Sequence, residues 1–169
     1  MTSKADQAEE LGIPMYRSPY AYSPIEHWQR IERWNKRLRA VREDDTPDFL
    51  DFSIVVLMHC FAMRDWLLAS GVEREKVSGL FSSTELKVCR DLVNGSKHLR
   101  LHNASVDEHH EIVRAWRPWQ RPGESESELK VHAGGVSYSL RSLCSTCVDQ
   151  IGAFMAELPP GPPEGENVT

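Results

Sequence analysis

The sequence predicts a mainly α-helical domain: a four-helix bundle with a small antiparallel β-sheet inserted before the last helix. Four segments combine helix start signals with apolar residues at helical spacing. In the stretch at about 108–140, apolar and polar residues alternate and β-forming residues are frequent. The chain has 169 residues, 40% hydrophobic and 27% charged, which fits one soluble domain. Polar, turn-rich ends place the folded unit at 24–158, with residues 1–23 predicted as a flexible arm and 159–169 as a disordered tail.

The first predicted helix begins at Ser23-Pro24, where a capping residue precedes a proline at the first helical position, and it ends near Glu43. Its outer side is basic and carries Arg30, Arg33, Lys36 and Arg37. Residues 24–43 hold six basic and three acidic side chains, so they carry +3 while the rest of the chain carries −8. This patch predicts contact with RNA phosphates or with an acidic protein, although an ordinary exposed helix face has the same appearance.

The second predicted helix begins at Thr46-Pro47 and ends at Gly71. Between residues 52 and 63 only Ser53 and His59 are polar, a pattern typical of the buried central helix of a bundle. His59 shares a face with apolar residues, which predicts a buried, neutral imidazole. Near the end of this helix, Arg64-Asp65 predicts either pairing with polar groups of the next long helix or a solvated end.

Composition and targeting signals narrow the function classes. A net charge of −5 argues against binding polyanions through overall charge, and four cysteines in a chain of this length do not make a disulfide scaffold. A membrane span needs about 18 apolar residues, and the best apolar run is interrupted by charged residues before it reaches that length. No membrane partner is therefore expected. The first residues contain no apolar signal core, which predicts a cytoplasmic protein.

A short helix at about 72–79 precedes a third long helix, for which Ser82-Ser83-Thr84-Glu85 offers a capping box. Three strands are then predicted in HEIVRAWRP, ELKVH and VSYSL, and the last two flank a hairpin turn at Ala133-Gly134-Gly135. Residues 141–158 return to helical spacing.

The third long helix carries a polar edge. Asp91, Asn94, His98 and His102 are spaced i, i+3, i+7 and i+11, so they line one side of a continuous helix. Such a row could orient a water, a phosphate or a metal, or it could simply bond to a neighbouring helix or loop. His98 and His102 lack a third ligand, so no metal or other cofactor is predicted. Gly95 stands beside them inside the helix, which indicates a close approach by another backbone.

Cys144 and Cys147 follow a predicted strand and open a helix, a setting in which thiol pKa values fall. A redox pair of the thioredoxin kind needs a βαβ context, however, and the preceding strands are predicted to form a hairpin. A zinc site that joins this pair to Cys89 or a histidine lacks a second properly spaced pair. Core packing is therefore favoured for Cys147, and Cys144 stays open.

The segments FSIVVLMHCFAMRDWLL and CRDLVNGSKHLRL together resemble the HEPN superfamily of helical bundles, over about residues 24–101 and the last helix. The resemblance implies a dimer and, in many members, metal-independent ribonuclease activity in toxin–antitoxin and phage-defence systems. It leads us to expect a dimeric interaction or regulatory module that binds a nucleotide or RNA. The alternative is a ribonuclease whose catalytic residues are Arg90, Asp91, Asn94, Lys97 and His98, with His98 as the general acid/base and Arg90 or Lys97 holding phosphate.

One departure from that family matters for the alternative. HEPN ribonucleases separate their arginine from their histidine by four to six residues, whereas seven residues separate Arg90 from His98 here. On a helix this offset is about 80°, so the two side chains do not converge on one face. Asp91 and His98 do converge, but a carboxylate cannot stabilise a phosphorane anion as an arginine does. The resemblance therefore implies the scaffold without the standard active site.

Overall fold

A computed structural model of the chain describes residues 23–97, 104–106, 110–116 and 127–158, with the backbone alone for Thr46 and Lys97. Five helices and one sheet are present in these ranges. In chain order they are α1 (Pro24–Ala40), α2 (Thr46–Ala69), α3 (Arg74–Leu80), α4 (Thr84–Lys97), β1 (Glu111–Trp116), β2 (Ser127–Ala133), β3 (Val136–Ser139) and α5 (Leu140–Glu157).

A mainly helical domain with a small antiparallel sheet before the last helix is confirmed. The short helix predicted at about 72–79 is also present, as α3. The described residues therefore contain five helices, and a four-helix bundle count is not confirmed. The strand order is β1-β2-β3, and both pairs are antiparallel. Gly134 and Gly135 close the β2–β3 hairpin with φ of +57° and +74°, a conformation that L side chains rarely adopt.

The helix α2 supplies much of the core and packs against α1, α4 and α5. Its inward side is buried and includes Phe49, Val56, Leu57, Cys60, Met63 and Leu67. By length and composition alone, Pro47–Ala69 could also cross a membrane, with a mean hydropathy of 1.5, and a third of that stretch is buried inside the fold. The prediction of a buried central helix is therefore correct for the inner side of α2 and wrong for the side around Met58, which is 38% exposed.

A buried carboxylate joins the sheet to the helices. Glu43, 4% exposed, accepts hydrogen bonds from the Leu129 backbone N–H at 3.1 Å and from Arg141 Nε at 2.9 Å. The Arg141 guanidinium also donates to the carbonyl oxygens of Leu38 and Val41 at 3.3 and 2.7 Å. This network explains why α1 ends at Ala40 rather than near Glu43: the chain leaves the helix to turn Glu43 inward.

Two histidines lie between α1 and α2. His27 Nε2 donates to the backbone oxygen of His59 at 2.9 Å, while His27 Nδ1 is buried with no hydrogen-bond partner. The His27 ring stacks on Trp66, and the His59 ring lies 6.5 Å from Trp34 at an interplanar angle of 18°. Burial lowers the pKa of His27 and lowers the pKa of His59 to about 4, and the nearby charge of Arg30 acts in the same direction.

We predict that the protein loses stability in mild acid. Both histidines have folded pKa values below the unfolded value of 6.5, so below pH 6.5 the unfolded chain binds more protons than the native protein. Their stabilisation is complete above pH 6.5 and is lost progressively towards pH 4. His27 is 3% exposed and the His59 ring is half-buried, so solvent screens the His59 contribution in part. We expect a loss of about 1–2 kcal/mol in unfolding free energy between pH 7 and pH 5.

Urea unfolding at successive pH values measures this loss. The variant His59→Phe keeps an aromatic ring beside Trp34 and should show a shallower pH dependence over the same interval. Equal slopes for the wild type and the variant would contradict the account.

Candidate functional site

A groove between α2 and α4 gathers three cationic side chains. The two helices run antiparallel, and the Cys89 thiol donates to the backbone oxygen of Leu57 at 3.3 Å at their contact. The groove has a volume of about 370 Å³. We call it the cationic groove, and its lining residues are Phe61, Arg64, Ser78, Phe81, Leu86, Lys87, Arg90 and Ser105. No carboxylate is among these described lining residues.

Helical spacing explains how the cations meet. Lys87 and Arg90 are three residues apart on α4, so their side chains leave the same side of the helix. Arg64 comes from the last turns of α2, where it is exposed. Phe81, directly after α3, adds its ring to the lining. The groove thus offers positive charge beside aromatic surface.

Asp91 fixes the wall of this groove. Its carboxylate is 3% exposed and accepts the Ser105 backbone N–H at 2.8 Å on each oxygen, and that of Val106 at 2.9 Å on Oδ2. These contacts hold the segment 104–106 against α4 and bring Ser105 into the groove lining. Ser105 Oγ is buried and has no hydrogen-bond partner, so one polar atom in this wall is unsatisfied.

The predicted site residues therefore have different environments. Arg90 is exposed in the groove, Asp91 bonds to the loop segment, and Asn94 is half-buried on α4. The helix continues through Gly95 to Lys97, whose side chain is not described. His98 and His102 lie outside the described residues. The structure thus brings Arg90 together with Arg64 and Lys87, two residues that were not among the predicted site residues.

Gly95 makes room for a side chain rather than for another backbone. A Cβ atom at this position would lie 2.7 Å from His110 Nε2 and 3.2 Å from its Cε1. The His110 ring enters from the segment before β1 and packs over α4, with Nδ1 buried and unpartnered. The predicted close approach to Gly95 is present, but the prediction of a backbone neighbour is wrong, because the His110 imidazole occupies that space.

The cysteines belong to the core. Cys60, Cys89, Cys144 and Cys147 are free thiols, and all four are buried. Burial raises the pKa of Cys60 and Cys144, and a hydrogen bond with Cys89 together with burial raises that of Cys147. Raised pKa values suppress the thiolate, so Cys144 and Cys147 are not placed for redox chemistry. Within the described ranges, no group of three or more His, Cys, Asp or Glu side chains could hold a metal ion.

The predicted basic patch lies on the outer side of α1. Arg33, Lys36 and Arg37 are exposed and Arg30 is half-buried, and the Arg37 guanidinium lies 4.5 Å from the centroid of the Trp34 ring. Lys36 and Arg39 share a separate groove between α1 and α5 with Glu32 and Asp149, so positive and negative side chains are equal in number among its lining residues. Contact of the basic patch with RNA or an acidic protein stays a prediction.

We predict that Asp91→Asn destabilises the protein by about 2–4 kcal/mol, because an amide cannot replace a buried carboxylate that accepts three backbone hydrogen bonds. Urea unfolding gives the value. Asp65→Asn, an exposed carboxylate on α2, is the matched control and should change stability by less than about 0.5 kcal/mol. Equal effects of the two substitutions would show that Asp91 does not hold the loop segment.

Comparison with protein-family models, curated proteins and solved structures gave no match for this chain. The HEPN resemblance therefore stays a prediction from its motif.

Proposed function

We propose that the protein is a helical interaction module that binds a phosphate-bearing ligand, either a free nucleotide or a nucleotide unit of RNA, in the cationic groove. One observation carries the proposal: Arg64, Lys87 and Arg90 line a single groove together with the Phe61 and Phe81 rings. The guanidinium groups of the two arginines match phosphate oxygens in geometry and charge, and Lys87 adds a third positive charge. This surface gives an acidic protein a local site for an anion.

The aromatic rings of the groove support a nucleotide over a bare anion. Phe61 and Phe81 are half-buried at the rim, beside the cations. Stacking of a base on such rings is tolerant of sequence and complements phosphate contacts. The groove volume of about 370 Å³ lies in the range of small-ligand pockets.

The ribonuclease alternative shares Arg90 with this groove. Its exposure there favours phosphate contact by this residue, while the proposed general acid/base, His98, lies outside the described residues. Cleavage would require His98, or another group, to reach the ribose hydroxyl beside a bound phosphate. The proposed dimer, with its implied place in bacterial defence, stays a prediction of the HEPN resemblance.

We predict that the protein binds a fluorescent single-stranded RNA of ten nucleotides, measured by anisotropy. The triple variant Arg64→Gln, Lys87→Gln, Arg90→Gln should weaken binding by about 100-fold or more. Each lost phosphate contact lowers the affinity by a similar factor whatever the RNA sequence. The slope of log Kd against log salt should fall by about 2 for three lost contacts to a single strand.

A matched triple variant on α1, Arg33→Gln, Lys36→Gln, Arg37→Gln, removes the same charge and should change binding by less than about threefold. Equal losses in the two variants would contradict the groove. Competition by AMP but not by inorganic phosphate at the same concentration would show that the base contributes, and failure of AMP to compete would assign the site to RNA. On a denaturing gel, RNA that is cut by the wild type and left intact by His98→Ala would establish the ribonuclease.

A further inference from the structure

One side of α2 faces solvent and yet is apolar. We call it the outward face, and it consists of Ile54, Val55, Met58, Phe61 and Ala62, with Asp51 and Asp65 at its two ends. Met58 lies at its centre and is 38% exposed, while the other four apolar residues are half-buried. At 100° per residue, all seven positions fall within about 60° of Met58. The face therefore forms a ridge about four turns long from Asp51 to Asp65, and its apolar residues occupy about the middle two turns.

An apolar ridge on this side of a helix needs an explanation. A helix at the surface of a domain normally turns polar residues to water. Here the opposite side of α2 already packs into the core, where Ser53 and Cys60 lie next to α5. The neighbouring helices α1 and α4 pack against α2, and His110 and Ile112 border Asp51 and Ile54 in a groove at one end of the ridge. Met58, at the centre of the ridge, stays 38% exposed.

The charges at the ends of the ridge define what would fit it. Asp51 and Asp65 are both exposed and are 14 residues apart, a rise of about 21 Å along the helix. A partner helix of about the same length would meet apolar surface along its middle and a carboxylate at each end. Arg64 of the cationic groove lies to one side of Asp65, about 100° round the helix, so the carboxylate is the charged group on the ridge itself. Apolar residues at i, i+3, i+4 and i+7, with Lys or Arg at both ends, complement this surface.

Neither a second copy of the chain nor its own first residues have that charge pattern. Any two-fold pairing centred on Met58 sets carboxylate against carboxylate, whether the helices run parallel or antiparallel. Residues 1–22 contain two basic and three acidic side chains, so they do not supply basic ends. We infer that the outward face of α2 is a docking surface for an amphipathic helix of another protein that carries basic residues at both ends.

The test uses the full chain and two labelled synthetic peptides of 18 residues. Both peptides have leucines at helical spacing on one side; one has two lysines at each end and the other has two glutamates. At low ionic strength, anisotropy should show that the lysine peptide binds at least about fivefold more tightly. Met58→Glu, at an exposed position, should weaken that binding by about tenfold while leaving the melting temperature within a few degrees.

Charge reversal provides the decisive comparison. The double variant Asp51→Lys, Asp65→Lys should prefer the glutamate peptide. The double variant Asp149→Lys, Glu157→Lys changes the net charge by the same amount on α5, behind the ridge, and should keep the wild-type preference.

Three outcomes would overturn the inference. The first is that neither peptide binds, or that both bind equally. The second is a dimer, seen by light scattering, that Met58→Glu dissociates, because the occupant would then be a second copy. The third is sedimentation with phosphatidylcholine vesicles that Met58→Glu abolishes, because the face would then belong to a lipid surface.

Discussion

The carboxylate of Asp91 is the constraint on which the candidate site depends. A buried charge is costly unless hydrogen bonds compensate it, and here three contacts from two backbone N–H groups do so. In return, the segment 104–106 is fixed against α4 and becomes one wall of the cationic groove. The surface proposed to bind phosphate is thus shaped by a residue that is not among the groove's lining. Asp91 acts as a positioning residue, and the cations around Arg90 supply the chemistry.

Three sides of the helix α2 have different surroundings. Its inner side fills the core, its edge at Arg64 contributes to the cationic groove, and its outward face around Met58 offers apolar surface to a partner. Phe61 belongs to both the groove and the outward face, so a ligand and a partner helix would lie next to each other. This division explains why a helix that is apolar almost all the way round is only partly buried in a single copy of the chain.

Local signals in the sequence predicted much of the fold. Thr46-Pro47 opens α2 and Gly134-Gly135 closes the hairpin, because capping and turn chemistry act over a few residues. Contacts between segments that are distant in the sequence could not be predicted from such local signals. Arg64 is 23 residues before Lys87, and only the antiparallel register of α2 and α4 brings them together. The role of Glu43 in joining α1, β2 and α5 likewise depends on tertiary structure. Asp91 and Asn94 of the predicted polar edge lie on α4, whereas His98 and His102 lie outside the described residues. Asp91 bonds to a loop segment that helical periodicity in the sequence does not identify.

The most direct test of the account is a map of where a nucleotide binds. Amide chemical shifts of the isotope-labelled protein, followed during titration with AMP, report every backbone position at once. The account predicts saturable shifts centred on Lys87, Arg90 and Ser105, with a smaller effect near Arg64 and none along the outer side of α1. Shifts that centre on α1 instead, or no shifts at millimolar AMP and none with a short RNA, would contradict the cationic groove as the ligand site.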